Sequence, residues 1–158
     1  MKKMPPIYKM SVSKVAVKRM FHAVAPDYQC TAEAKEHVRE ILIKSAAALA
    51  KKPPAYYKKL KGLAKNIEAE IAKEHDTLLI NFARFEKMHA ELKTPHHVRV
   101  IAIVVEFLGC YIFEQANTVR GSASVPPKKT VHRQDVDTAI KNDPGLLKFL
   151  KSLVELEF

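Results

Sequence analysis

The side chains best equipped for chemistry are the cations: 27 lysines and arginines against 17 aspartates and glutamates, giving a net charge of +10 and a pI near 9.6. They are unevenly spread, for residues 1–73 hold 16 basic and 6 acidic side chains whereas residues 74–158 hold 11 of each. Such an excess suits a polyanion, nucleic acid ahead of an anionic membrane, through phosphate neutralisation and counterion release. Other reactive types form no set. His96 and His97 are adjacent and diverge on a helix, and no carboxylate or thiol completes the histidines at metal-ligand spacing. There is no Gly-rich phosphate loop, nucleophile motif or carboxylate pair, so we expect a binding protein and not an enzyme, with no metal, cofactor or small-molecule substrate. Cys30 and Cys110 are solitary, without a CxxC motif or a secretory signal ahead of them. They read as core thiols in a reducing compartment.

The elements that must position these cations are helical. Four glycines, no tryptophan and few β-branched runs outside one segment argue for an all-α chain. That segment is 95–120, PHHVRVIAIVVEFLGCYIFEQANTVR, with Thr94 as N-cap and Pro95 in the first helical position. Its apolar residues fall on nearly every face, which predicts a helix buried all round. Arg99 and Glu106 interrupt a run already shorter than the roughly 20 residues a bilayer span needs, so no membrane partner is expected.

Around it lie shorter patterns. Residues 1–10 form a basic tail with a Pro5-Pro6 pair. Residues 12–24 read as a helix with Val12, Val15, Ala16, Met20, Ala23 and Val24 inward and Lys14, Lys18 and Arg19 outward. After a loop at 25–30, Thr31 caps a second helix whose stripe is Ala34, Val38, Ile41, Leu42, Ser45, Ala48 and Leu49. Pro53-Pro54 stops it, with Lys51 and Lys52 at its C-terminal end, where cations are favoured. Helical patterns follow over 55–73 and 77–92. Beyond the long helix come a loop at 121–129, a short helix with Val136, Ala139 and Ile140 inward, and a last helix started by Asp143-Pro144 that carries Leu146, Leu147, Leu150, Leu153 and Val154. The same order of elements occurs in both halves.

These residues resemble the histone fold. VVEFLGCYIFEQANTVRG is similar to the long central helix of the histone 2A family, KKTVHRQDVDTAI to the loop and third helix of eukaryotic and archaeal histones, and AIKNDPGLLKFL to the start of the histone 2A C-terminal helix. Upstream, VAVKRMFHAVAPDYQCTAEAKEHV resembles the start of the histone 2B fold. A 2B-like half followed by a 2A-like half resembles the fused histone doublets of giant DNA viruses of the marseillevirus group. The first half departs from the family in its second helix, cut about two turns early by Pro53-Pro54, and no long lysine-rich tails are present.

The resemblance implies two histone folds paired as an intramolecular handshake: a tail at 1–10, a 2B-like fold and connector at 11–74, and a 2A-like fold with a C-terminal helix at 75–158. It implies a nucleosome-core protein that packages duplex DNA without strong sequence preference. A doublet or dimer of the other two core histone types would complete the particle, in the chromatin of a nucleus, a viral factory or a virion. Lys129 and Thr130 would meet phosphates, with Lys128 paired to Asp135 to hold the loop; Lys14, Lys18, Arg19, Lys51, Lys52 and Arg133 complete the candidate DNA-binding set. Of the family's acidic patch, Glu106, Glu114 and Asp143 remain, while Tyr111, Pro144 and Gly145 stand where the family carries acids. The alternatives are a histone-fold subunit of a transcription or promoter-binding complex, which would prefer a DNA sequence, and a helical interaction module whose basic face serves solubility.

Overall fold

A computed structural model describes residues 12–53, 55, 56, 58, 95–122, 129–154 and 156 of the 158-residue chain. Tail 1–10, helix 77–92, most of the pattern over 55–73 and Lys128 lie outside these residues. The described chain is mostly helical, as the composition predicts: α1 (Lys14–Val24), α2 (Ala32–Ala50), α3 (Pro95–Ser122), α4 (Arg133–Lys141) and α5 (Pro144–Lys151), with two short strands, β1 (Gln29–Cys30) and β2 (Thr130–Val131).

Local chemistry sets most boundaries. Ser13 caps α1 by accepting from the Ala16 N–H at 3.0 Å, and Thr31 caps α2 by accepting from Ala34 at 3.1 Å. α2 ends at Ala50, ahead of Pro53, and Asp143 caps α5 through the Leu146 N–H at 3.1 Å with Pro144 behind it. α3 begins at Pro95 and runs through Gly121 and Ser122, two residues into the predicted loop. The Ser122 hydroxyl donates to the Thr118 carbonyl at 2.8 Å and holds that last turn. α5 stops at Lys151, and Leu153 and Val154 follow in a turn whose N–H groups donate to the Leu150 carbonyl.

α3 is the common partner of α1, α2 and α4, and a single apolar core forms around it. On α1 the buried face is Ala16, Val17, Met20 and Phe21, with Val12 entering ahead of the cap. This corrects the predicted stripe: Val15 is 57% exposed, and Val17 and Phe21 take the inward positions. The reason is a long-range contact, since the Phe21 ring meets Phe113 of α3 edge to face at 5.3 Å. Along α2, Ile41–Ile43, Ser45–Ala47 and Leu49–Ala50 are buried, a wider band than one stripe. In its first half α3 is buried at Val98 and from Val100 to Glu106, while Arg99 is exposed, so even there the helix is not enclosed on every side as its apolar pattern predicts. From Phe107 onward, Phe107, Glu114 and Thr118 are exposed at helical spacing, and Cys110 and Tyr111 are half-buried. Cys30 and Cys110 border the core and are not inside it.

Close approach of three helices depends on Gly109. A Cβ there would stand 2.5 Å from the Met20 sulfur and 2.9 Å from Leu42 Cδ1, both in side chains with no exposure. Gly109→Val is expected to cost about 2 kcal/mol or more through overpacking, outweighing the roughly 0.4 kcal/mol of helix propensity that replacing glycine by valine returns. Thermal melting followed by circular dichroism measures it, and an unchanged midpoint would refute the tight three-helix contact.

Candidate nucleic-acid interface

The first and last parts of the described chain are joined by backbone. β1 and β2 pair in parallel, Gln29 opposite Thr130 and Cys30 opposite Val131. The Gln29 N–H donates to the Lys129 carbonyl at 2.7 Å and the Thr31 N–H to the Val131 carbonyl at 3.0 Å. β1 leads into α2 and β2 into α4, so this short ladder sets two helix N-termini side by side, each with outward N–H groups and a positive dipole end.

Side chains reinforce the seam. His37 Nε2 of α2 lies 2.8 Å from Asp137 Oδ1 of α4, with side-chain exposures of 12% and 22%. Arg39 donates from Nε to the Val12 carbonyl at 2.8 Å and from a terminal nitrogen to Glu36 at 3.0 Å. Asp135, 6% exposed, accepts the His132 N–H at 2.8 Å and has an Arg120 guanidinium nitrogen at 3.9 Å. The Lys128–Asp135 pair lies outside the described residues; within them, Arg120 is the cation facing that carboxylate. In β1, burial pushes the Cys30 thiol up to about 11; the Lys35 charge opposes the shift and the Asp135 charge adds to it. Cys30 is therefore a poor nucleophile at neutral pH.

Lys14, Lys18 and Arg19 are exposed on α1, and Lys129 is exposed immediately before β2, where Thr130 is half-buried. Arg133 opens α4 and faces solvent, yet one guanidinium nitrogen lies 3.8 Å from Glu33 on the first turn of α2. Both partners are well exposed, 46% and 73%, so the pair is worth at most about 1 kcal/mol and a phosphate can displace it. Two grooves meet at Glu33: one between α1 and α2 includes Lys14, Lys18 and Lys35, the other between α2 and α4 includes Thr31, Arg133 and Lys141. Lys51 and Lys52 stand at the far end of α2. Lys51 is exposed, while the Lys52 ammonium sits 5.4 Å from the centroid of the Tyr56 ring, a cation–π contact.

The residual acidic patch is smaller than expected. Glu106 is 1% exposed inside α3 and offers no surface charge. Asp143 is occupied twice, capping α5 and accepting from the Tyr111 hydroxyl, which stacks against Phe107 with centroids 5.8 Å apart. The Tyr111 hydroxyl and then the Leu146 N–H hold the Asp143 carboxyl below its ordinary range, and the same bond pushes the Tyr111 phenol up. Only Glu114 of the three faces solvent freely. Sequence reading missed His37, Asp137, Arg120 and Glu33, which have no local signal because their partners come from distant segments. Among the described residues no cluster of three or more metal-ligating side chains occurs, and no helix is long and apolar enough to cross a membrane.

Asp135→Ala is expected to destabilise the fold by about 2 kcal/mol, since it removes a buried acceptor and leaves the Arg120 guanidinium without its counter-charge. Chemical denaturation reads this, and a loss near zero would contradict the role given to Asp135. A folded carboxyl held below its unfolded pKa contributes stability above the unfolded value and loses it as pH falls through the folded one. In Tyr111→Phe the Asp143 carboxyl should therefore titrate at higher pH in an NMR titration and give up that contribution at a higher pH; an unmoved titration would rule out Tyr111 as the cause. No protein-family model and no curated protein matches the sequence.

Proposed function

We propose that this chain is a DNA-packaging histone doublet. Its two halves pair as histone folds within one polypeptide and, with a doublet or dimer of the other two core histone types, wrap duplex DNA in a nucleosome-like particle. The observation that carries this reading is the parallel β1–β2 ladder. In a handshake of two histone folds the first loop of one lies beside the second loop of the other, and here the loop before α2 is hydrogen-bonded to the loop between the long helix α3 and α4.

The physical logic follows from burial and charge. A lone histone fold leaves one face of its long helix uncovered, and fusing two folds makes their pairing intramolecular at high effective concentration. The paired loops then present two helix N-termini, with Lys129 and Thr130 at one of them, to the DNA phosphates. Among the described residues no recognisable element reads base edges, and on this reading affinity rests on phosphates and on the ease of bending DNA. Chromatin of a nucleus, a viral factory or a virion is the compartment that fits.

Assembled with a doublet of the complementary types and digested with nuclease, the complex should protect DNA fragments of fixed length; an unprotected smear at low salt overturns wrapping. Lys129→Ala should weaken binding similarly for unrelated duplexes and reduce the slope of log affinity against log salt by about 1. A loss confined to one DNA sequence would favour the promoter-binding alternative.

A further inference from the structure

We infer that four side chains between α2 and α4, Glu33 and His37 facing Arg133 and Asp137, are the device that selects α4 as the partner of α2. Each pair crosses the seam. An Arg133 guanidinium nitrogen lies 3.8 Å from Glu33 Oε1, and His37 Nε2 lies 2.8 Å from Asp137 Oδ1. On both helices the two members are four residues apart, so they sit one turn along the same face. Their polarity is opposed. A carboxylate only accepts, so His37 donates to Asp137 from Nε2, just as the Arg133 guanidinium, which only donates, faces Glu33. Reading from the N-terminus, α2 offers an acceptor and then a donor, and α4 a donor and then an acceptor.

The ladder and the core beneath it are indifferent to such detail. β1 and β2 are joined through backbone groups, which nearly every residue possesses. The shared core takes aliphatic side chains from both helices, Ala34, Val38 and Ile41 from α2 and Val136, Ala139 and Ile140 from α4, and burial of that kind has no direction. Another apolar helix could replace α4 there at little loss. The two polar pairs penalise the replacement. Sliding α4 by one turn sets Glu33 against Asp137 or His37 against Arg133, and a second copy of α2 in its place sets Glu33 against its own counterpart. His37 and Asp137 are largely shielded from solvent, so a mismatch there strands polar groups and carries the larger share of the penalty.

The test uses the full chain without DNA, because Arg133 is also a candidate phosphate contact. Each pair is exchanged residue for residue, Glu33→Arg with Arg133→Glu and His37→Asp with Asp137→His, and chemical denaturation follows the single and double variants. Charge changes in a first turn also meet the helix dipole, a contribution that the double-mutant cycle cancels. In each cycle the folding equilibrium constant of the double variant should exceed the value expected from its singles by at least about three-fold, and by more for His37–Asp137. Two further chains test choice, one with Arg133→Glu and Asp137→His, the other with Glu33→Arg and His37→Asp. Each mismatches both pairs within itself, whereas exchange between the two chains restores every pair. Refolded together at about 1 mM, near the effective concentration of a tethered partner, they should give in analytical ultracentrifugation a two-chain species that neither forms alone. Where either variant alone is unfolded, recovery of helix on mixing reports the same exchange. Additive cycles overturn the inference. So does a mixture that stays single-chain, for the pairs then stabilise without selecting. The exchange between chains rests on the pairing of halves proposed above, and the cycles do not. A wild-type chain that leaves duplex DNA unbound while the two variants exchange removes the packaging function and keeps the selector.

Discussion

Two backbone hydrogen bonds, from Gln29 to Lys129 and from Thr31 to Val131, join segments about a hundred residues apart and set the starts of α2 and α4 side by side. A two-residue ladder has little stability of its own in water. It persists because the helices on either side share one core. Val131 is fully buried, Thr31 begins α2, and His132 begins the turn into α4. Loop closure across so long a stretch costs only slowly more with length, so core burial can offset it. The dependence is mutual: the core brings the strands together, and the strands fix the angle at which α2 and α4 leave the seam.

α3 makes that core possible by burying every described side chain from Val98 to Glu106 except Arg99. Val98 and Val100–Val105 are all buried, and the helix is about 42 Å long at 1.5 Å per residue, enough to reach α1, α2 and α4 along different stretches. Gly109 lets α1 and α2 close on it from the same side. Beyond that point the demand relaxes, and Phe107, Glu114 and Thr118 open a solvent stripe. The half-buried Tyr111 beside it ties α3 to the cap of α5 through Asp143. The helix is thus scaffold at one end and surface at the other.

What could be read from the residues alone was whatever a few neighbours decide. The Thr31 cap, the Pro53 stop, the Asp143-Pro144 start and the inward set Val136, Ala139 and Ile140 each follow from local hydrogen bonding or helical spacing, and each stands in the structure. What failed was decided by distant partners. Val15 and Val17 differ by two residues on a short helix, and packing against α2 and α3, the Phe21–Phe113 and Met20–Gly109 contacts included, selects which side of α1 is inside. Glu106 looks like a surface acid because carboxylates rarely enter a core, yet α3 is enclosed at that level. His37 and Asp137 carry no mark of their pairing, since the contact exists only once β1 and β2 have met. On the candidate interface, the exposure of Lys14, Lys18 and Arg19 was legible from helical spacing, whereas the counter-charge that Glu33 sets beside Arg133 was not.

The formal charge understates how the cations are presented. Among the described residues Glu36, Asp135, Asp137 and Asp143 are engaged in capping, in the seam between α2 and α4, or in pairs within a helix, and Glu33 is held, more loosely, by Arg133. Carboxylates bound in this way do little to screen lysines elsewhere on the surface. Lys14 and Lys18 consequently face solvent on α1, while Lys129 does so at the entry to β2. Using those five acids in caps and pairs while Lys14, Lys18 and Lys129 stay outward concentrates positive potential around α1 and the entry to β2, although Asp27, Glu40 and Glu114 remain exposed elsewhere.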